Sequence, residues 1–290
     1  MLKEYKTIIL EEENSAAILK LNRPNKLNAF NMQMLDDMLD AIDQVNEDDN
    51  IKSLIITGSG RAFCAGAELS LGEKTFDKNF DTKAKYESDF RRDAGGILSL
   101  KIYNSLKPVI AACNGDAVGI GATMQLPADI RIATNKSRFG FVFAKRGIVP
   151  DGCASWFLPK IIGIPMSLEL CYSGKIIDAS DALRIGLINY LVDESELMKK
   201  AFEISDLLCD SSAPISVAMT RHMLWSLSAE EDPEHAHEIE SKLIDSRGAS
   251  DDAKEGVLSF LEKRKSVFKN KITKDFPDIF PWRKSRFEDD

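Results

Sequence analysis

Two stretches of this chain are built to one plan, a strand-like run that delivers a glycine-bearing turn and then opens a helix. The first is Leu54-Ile55-Ile56-Thr57-Gly58-Ser59-Gly60-Arg61-Ala62-Phe63-Cys64-Ala65-Gly66-Ala67-Glu68-Leu69. The second is Pro108-Val109-Ile110-Ala111-Ala112-Cys113-Asn114-Gly115-Asp116-Ala117-Val118-Gly119-Ile120-Gly121-Ala122. Runs that are mostly β-branched or apolar, as at 53–57 and 109–112, read as candidate parallel strands buried on both faces. At each turn, small residues let a ligand approach the backbone, and the N–H groups at a helix start point outward as donors. Two such donors converging on one oxygen make an oxyanion hole. Either turn taken singly is equally an ordinary packing device.

The flanking sequence extends the α/β pattern. Residues 7–10 and 16–21 read as strands, the second stopped by Asn22-Arg23-Pro24-Asn25. A helix over 31–47 carries Leu35, Met38, Ile42 and Val45 on one stripe. From about residue 164 helices dominate, with stripes at Leu197, Ala201, Ile204 and Leu208, at Val217, Thr220, Leu224 and Leu227, and at Ala253, Val257 and Phe260. Between the two parts, 72–92 has few apolar anchors and reads as a mobile excursion. The tail from Lys269 reads as an extended segment packed on something, or as partly disordered.

Composition narrows the function classes. The 290 residues are 44% apolar and 29% charged, enough to bury a sizeable core. A net charge of -8 gives no whole-chain field for nucleic acid, so any anion must be held by a local basic cluster. Five scattered cysteines without a CxxC pair suit a reducing cytoplasm and neither a disulfide framework nor a structural metal site. No signal-peptide core or membrane-spanning run is read, and the chain is placed in the cytoplasm, with no membrane partner.

Four blocks in order, LNRPNKLNAF, GRAFCAGAEL, KPVIAACNGDAVGIGATM and FLPKIIG, followed by SGKIIDASDALRIGLINYLV, closely resemble the crotonase superfamily, also called the enoyl-CoA hydratase/isomerase family. The resemblance covers about residues 6–265. It implies an α/β spiral of ββα units over 1–205 and a helical C-terminal trimerisation region over 206–265, which leaves 266–290 as the extended tail. It also implies a homotrimer or dimer of trimers acting on acyl-CoA, with no cofactor beyond the CoA of the substrate and no metal.

Carried over residue by residue, the resemblance assigns the two oxyanion donors to the backbone N–H groups of Ala67 and Ile120, aimed at the thioester carbonyl oxygen. Gly66 and Gly119 then leave room for the thioester. Lys26 and Leu27 fall near the pantetheine and phosphates, the carbonyl of Ala65 faces the adenine amine, and Leu69 lines the adjacent wall. Phe260 and Lys263 match the C-terminal segment that reaches CoA, often from a neighbouring subunit, and Lys263-Arg264-Lys265 supplies a local basic cluster. As a plain sequence feature that run is also a solvated basic helix end.

The acid/base positions depart from the hydratase pattern. The two hydratase glutamates correspond to Thr123 and Phe143, and neither can activate water or deliver a proton. The remaining carboxylate is Asp151 in Gly147-Ile148-Val149-Pro150-Asp151-Gly152, which matches the single catalytic carboxylate of the peroxisomal-type enoyl-CoA isomerases. One carboxylate suffices to move a proton from C2 to C4, provided burial raises its proton affinity, and Phe141, Phe143 and Trp156 are candidates for the apolar wall. As local sequence, Pro150-Asp151-Gly152 also reads as a turn, or Asp151 as an N-cap. Glu68 reads as a structural ion pair, His235 and His237 as a solvated helix face, and Cys64 and Cys113 as small buried residues. Three functions follow: an enoyl-CoA isomerase shifting a 3-enoyl to a 2-enoyl double bond, a hydratase (a lyase) with a non-standard acid/base, or a non-catalytic acyl-CoA-binding subunit.

Overall fold

A computed structural model describes residues 4–77 and 92–279. Most of the 72–92 stretch and the end of the tail therefore lie outside the described residues. The chain opens with an antiparallel hairpin, β1 (Ile8–Glu13) and β2 (Ala16–Leu21), with Glu13 opposite Ala16. Both residues of its two-residue loop, Asn14 and Ser15, have positive φ, the conformation whose twist matches that of the flanking strands.

From there the chain repeats a strand pair followed by a helix or turn. After α1 (Met32–Glu47) come β3 (Ser53–Gly58) and β4 (Ala62–Cys64), then α2 (Ala94–Tyr103). Next are β5 (Val109–Cys113), β6 (Asp116–Val118) and the single-turn α3 (Ile120–Thr123), followed by β7 (Ile130–Thr134) and β8 (Arg138–Gly140). The long first strand of each pair joins one sheet and the short second strand joins another. The order is β1-β2-β3-β5-β7-β10 in the six-stranded sheet and β4-β6-β8-β9 in the four-stranded one, with β9 (Ile176–Asp178) and β10 (Tyr190–Val192) added later. Apart from the β1–β2 and β8–β9 pairs, all pairing is parallel. This is the expected spiral of ββα units, and it places the ends of β4 and β6 side by side.

The core follows from the patterns. Leu54 and Ile56 of β3 face one cluster with Leu35, Met38, Ile42 and Val45 of α1, all essentially inaccessible. Ile55 faces a second cluster with Ala201 and Ile204 of α7 (Leu197–Cys209), so the central strand is covered on both sides. The helices α4 (Ala154–Ile162), α5 (Ile164–Ser173) and α6 (Ala179–Arg184) complete the first layer.

The C-terminal helices differ from expectation in which face they bury. The helices α8 (Pro214–Leu227), α9 (Pro233–Gly248) and α10 (Asp251–Leu261) form as anticipated. Yet Leu224 is 71% exposed and Phe260 82% exposed, whereas Ile215, Ala218, Met219, Arg221 and His222 of α8 are buried. Periodicity found the apolar stripes, but the fold anchors α8 by its other side. The reason is Arg221, whose guanidinium bonds Asp129 at 2.8 Å and the carbonyls of Ser105, Ile102 and Pro127 at 3.0, 3.0 and 3.1 Å, and also that of Tyr103. Beyond α10, α11 (Ile272–Asp275) packs Ile272 against α8, and Thr273 bonds Asp49, so this part of the tail docks on its own chain. No helix among the described residues is long and apolar enough to cross a membrane.

Candidate active site

The first glycine turn is locked to the RPNKLN block. Pro24–Lys26 forms a short 3-10 turn that ends with Leu27 and Asn28 at positive φ. The buried Asn28 side chain donates to the carbonyls of Ser59 and Ala62, both at 2.9 Å, and accepts from Arg23 N at 2.8 Å. Ala65 N donates to Leu27 O at 3.0 Å, which brings Ala65, Leu27 and Lys26 together at one edge. Glu68 takes the structural role anticipated for it, bonded by Arg23 at 2.8 Å and Asn31 at 3.0 Å, with Lys26 at 3.8 Å. These partners, the Arg23 hydrogen bond foremost, hold its carboxyl below the usual range.

Phe30 and Ala67 form a bridge in which Phe30 N donates to Gly66 O and Glu68 N donates to Phe30 O, both at 2.8 Å. That register passes over the N–H of Ala67. At the second turn, Gly119 N donates to Gly140 O, and Ile120 begins α3, where no preceding helical carbonyl is available to its N–H. Among the described residues neither N–H has an acceptor.

The two turns touch. Gly66 has φ +109 and Gly119 has φ +56, and a Cβ on Gly119 would lie 3.9 Å from the Cα of Gly66. A Cβ on Gly66 would sit 3.2 Å from the carbonyl oxygen of Val118, and one on Gly121 only 2.0 Å from that of Cys64. The glycines thus allow β4 and β6 to deliver both turns to one place. Cys64 and Cys113 are fully buried beneath, with burial pushing each thiol up to about 12, so neither is a nucleophile at neutral pH.

Asp151 stands beside this pair of turns. Its Oδ1 accepts a 2.8 Å hydrogen bond from the hydroxyl of Thr123, which is fully buried at the end of α3. A Cβ on Gly95 of α2 would lie 2.7 Å from Ile120 Cδ1 and 3.3 Å from Asp151 Cγ, which places the carboxyl next to the second donor residue. Burial pushes the Asp151 carboxyl up to about 6; the Thr123 hydrogen bond pulls it down and the negative charge of Asp93 pushes it up. Asp151 is not an N-cap, because α4 starts at Ala154 with Cys153, at φ 55, in the cap position.

The other anticipated residues stand in varied settings. Phe141 and Phe143 are buried in the main core cluster. Trp156 joins an edge-to-face aromatic cluster, 5.9 Å from Tyr103 and 4.7 Å from Phe157, with Trp225 at 6.2 Å, so its packing serves the α4–α8 contact. Leu69 is half exposed at the first turn. Phe260 and Lys263 are exposed at the end of α10, and no hydrogen bond or ion pair among the described residues ties them to Lys26, Ala65 or Asp151. The basic cluster there is partly neutralised, with Arg264 bonded to Glu255 and Glu262 and Lys265 to Asp210. Sequence reasoning missed Asp93 and Gly95. The only local signal was an Asp before Ala-Gly-Gly, a helix N-cap pattern at the edge of the stretch set aside as an excursion.

The two-sheet ββα spiral thus brings two glycine turns into contact beside a buried, hydrogen-bonded carboxylate. The sequence profile described as enoyl-CoA hydratase/isomerase matches residues 11–271, and the chain belongs to that family of acyl-CoA enzymes. It is 37% identical over 260 residues to the enoyl-CoA hydratase AKT3-2 of Alternaria alternata, covering 89% of this chain and 84% of that one. It is 32% identical over 280 residues to the 1,2-epoxyphenylacetyl-CoA isomerase of Escherichia coli, covering 91% and 98%. Among solved structures, an enoyl-CoA hydratase subunit of Geobacillus kaustophilus superposes with a TM-score of 0.81 at 27% identity, covering 93% of this chain and all of that one.

Proposed function

We propose that the chain is an enoyl-CoA isomerase that shifts a 3-enoyl-CoA to a 2-enoyl-CoA with Asp151 as its single acid/base. The observation that carries this reading is the buried, Thr123-bonded carboxylate of Asp151 beside Ile120, whose N–H, like that of Ala67 on the touching turn, has no acceptor among the described residues. The thioester oxygen accepts from those two N–H groups. Asp151 takes a proton from C2, the C2–H electron pair moves into the thioester to give a dienolate, and the same proton is returned at C4 as the double bond moves to C2–C3. The donors lower the cost of the dienolate, an effect worth about 10²- to 10³-fold in rate for each such donor. A carboxyl raised to about 6 is a stronger base than an ordinary aspartate and is still ionised at neutral pH.

Lys26, Leu27, Ala65, Gly66, Leu69 and Gly119 form the proposed CoA edge. Phe260 and Lys263 reach CoA from a neighbouring subunit of a trimer or dimer of trimers. The exposed apolar face around Leu224 supports such an assembly, since it leaves a large side chain at 71% exposure on a helix that is otherwise anchored. No metal or further cofactor enters the chemistry, and the compartment proposed is the cytoplasm. The hydratase reading is favoured by the names of several relatives, including the AKT3-2 protein, and would make Asp151 activate water.

The test is to incubate the purified chain with 3-enoyl-CoAs and with 2-enoyl-CoAs of matched length and separate the products. Conversion of the former to 2-enoyl-CoA, without hydration of the latter, is expected. Hydration as the main reaction would replace this reading with the second. Thr123→Val, which removes the bond that holds the Asp151 carboxyl down, is expected to move the acidic limb of the kcat/KM profile to higher pH, read from wild-type and variant profiles side by side.

A further inference from the structure

Asp93 lies at the start of α2, outside every motif that marks the site. As N-cap its Oδ2 accepts from Gly96 N at 2.6 Å, and the same oxygen accepts from Gly152 N at 3.2 Å. One carboxylate oxygen therefore joins the first turn of α2 to the residue that follows Asp151. The residues around it are shaped for this. A Cβ on Gly96 would lie 2.6 Å from Asp93 Oδ1, and one on Gly95 would lie 3.3 Å from both Asp93 Oδ2 and Asp151 Cγ. The absent side chain of Gly95 is thus the space in which the two carboxyls approach each other. Gly152, at φ +63, faces Thr123 and Ser99 on its other side, so the turn bearing Asp151 is held between α3 and the Asp93 anchor.

We propose that Asp93 is a positioning residue for Asp151, anchoring the Asp151–Gly152 turn to the start of α2 and setting a second carboxyl beside it across the space left by Gly95. This rests on Asp151 being the acid/base of the site. The direction of the effect on Asp151 agrees, since the charge of Asp93 raises its proton affinity in addition to burial. The other titratable or charged groups facing this corner among the described residues are Cys64 from β4, Cys153 from the same loop and Arg92 beside Asp93. The thiols of Cys64 and Cys153 are held above their ordinary range by burial and stay neutral at the pH values concerned, which leaves Asp93 as the like charge.

The experiment compares Asp93→Asn with the wild-type enzyme. Asparagine keeps an oxygen to accept from Gly96 and Gly152 but loses the charge. The acidic limb of kcat/KM is expected to move toward lower pH by about half a unit or more, with a several-fold lower plateau because the base is weaker. An infrared titration of the Asp151 carboxyl, identified by the band that Asp151→Asn lacks, reads the same shift without relying on turnover. Asp93→Ala, which loses the anchor as well, is expected to lower the plateau further than Asp93→Asn. An unmoved limb and an unmoved infrared titration in Asp93→Asn would overturn the role of Asp93 alone. Full turnover in Asp151→Asn would overturn the reading of Asp151 itself, and this proposal with it.

Discussion

Asp151→Asn is expected to lower kcat by about 10³-fold or more while leaving the Kd for a substrate-like acyl-CoA within a few-fold of wild type. A positioned general acid/base contributes about 10² to 10⁴ in rate, and the positions that the resemblance matches to the two hydratase glutamates hold Thr123 and Phe143. Asparagine preserves the shape and can still bond Thr123, and the proposed donors at Ala67 and Ile120 are main-chain groups that the substitution does not touch. Retained turnover with retained binding would remove Asp151 from the chemistry. Loss of binding together with turnover would make it a structural residue. The measurements are steady-state kinetics and calorimetric titration with a non-reactive acyl-CoA.

The same variant has a stability consequence of defined sign. The Asp151 carboxyl has a folded pKa of about 6, raised from 3.8, so the folded state binds this proton more tightly than the unfolded one. The fold is therefore favoured by this group below the unfolded pKa, and that advantage is lost as pH rises through about 6. Asp151→Asn, which never ionises, is expected to gain roughly 1 to 3 kcal/mol over the wild type at pH 8 relative to pH 4. Urea denaturation of both proteins at the two pH values reads the difference. A stability difference that moves in favour of Asp151→Asn as pH rises through about 6 is the expected mark of a buried carboxylate.

The second large effect concerns α8. Arg221 satisfies carbonyls from α2, from the turn after it and from the approach to β7, and its charge is paired with Asp129, which also accepts from Val109 N and Trp225. Arg221→Ala takes a donor from several buried carbonyls and removes the counter-charge of Asp129, which keeps only its bonds from Val109 N and Trp225. The expected cost is about 3 to 5 kcal/mol in urea unfolding, the range for breaking a buried pair. Arg221→Lys should recover only part, because a single ammonium cannot reproduce the planar fork. A loss below about 1 kcal/mol would mean that α8 is held by its apolar contacts alone.

Much of this arrangement was legible because it resides in the backbone and in glycine. The small residues of the two turns are readable as room for a close approach, and at Gly121 that room is filled by the backbone of the other turn, since a Cβ there would meet the Cys64 carbonyl at 2.0 Å. The alternation of Leu54, Ile55 and Ile56 between two core clusters is what an all-apolar run encodes. The helix stripe at Leu35, Met38, Ile42 and Val45 is likewise buried throughout. What was not legible depends on contacts between distant segments. Nothing in the local pattern says that Asp93 meets Gly152, 59 positions on. Nor could it say that α8 turns its arginine inward and Leu224 outward, because an arginine that binds carbonyls from several distant loops has no periodic signature.

The most direct test of the central claim is to run the reaction on a 3-enoyl-CoA in oxygen-18 water and, separately, in deuterium oxide, and to resolve the products by mass. The account predicts a 2-enoyl-CoA free of oxygen-18, with deuterium entry at C2 or C4 that depends on Asp151 and is lost in Asp151→Asn. A 3-hydroxyacyl-CoA carrying oxygen-18 as the main product, or binding without any deuterium entry or double-bond shift, would contradict it.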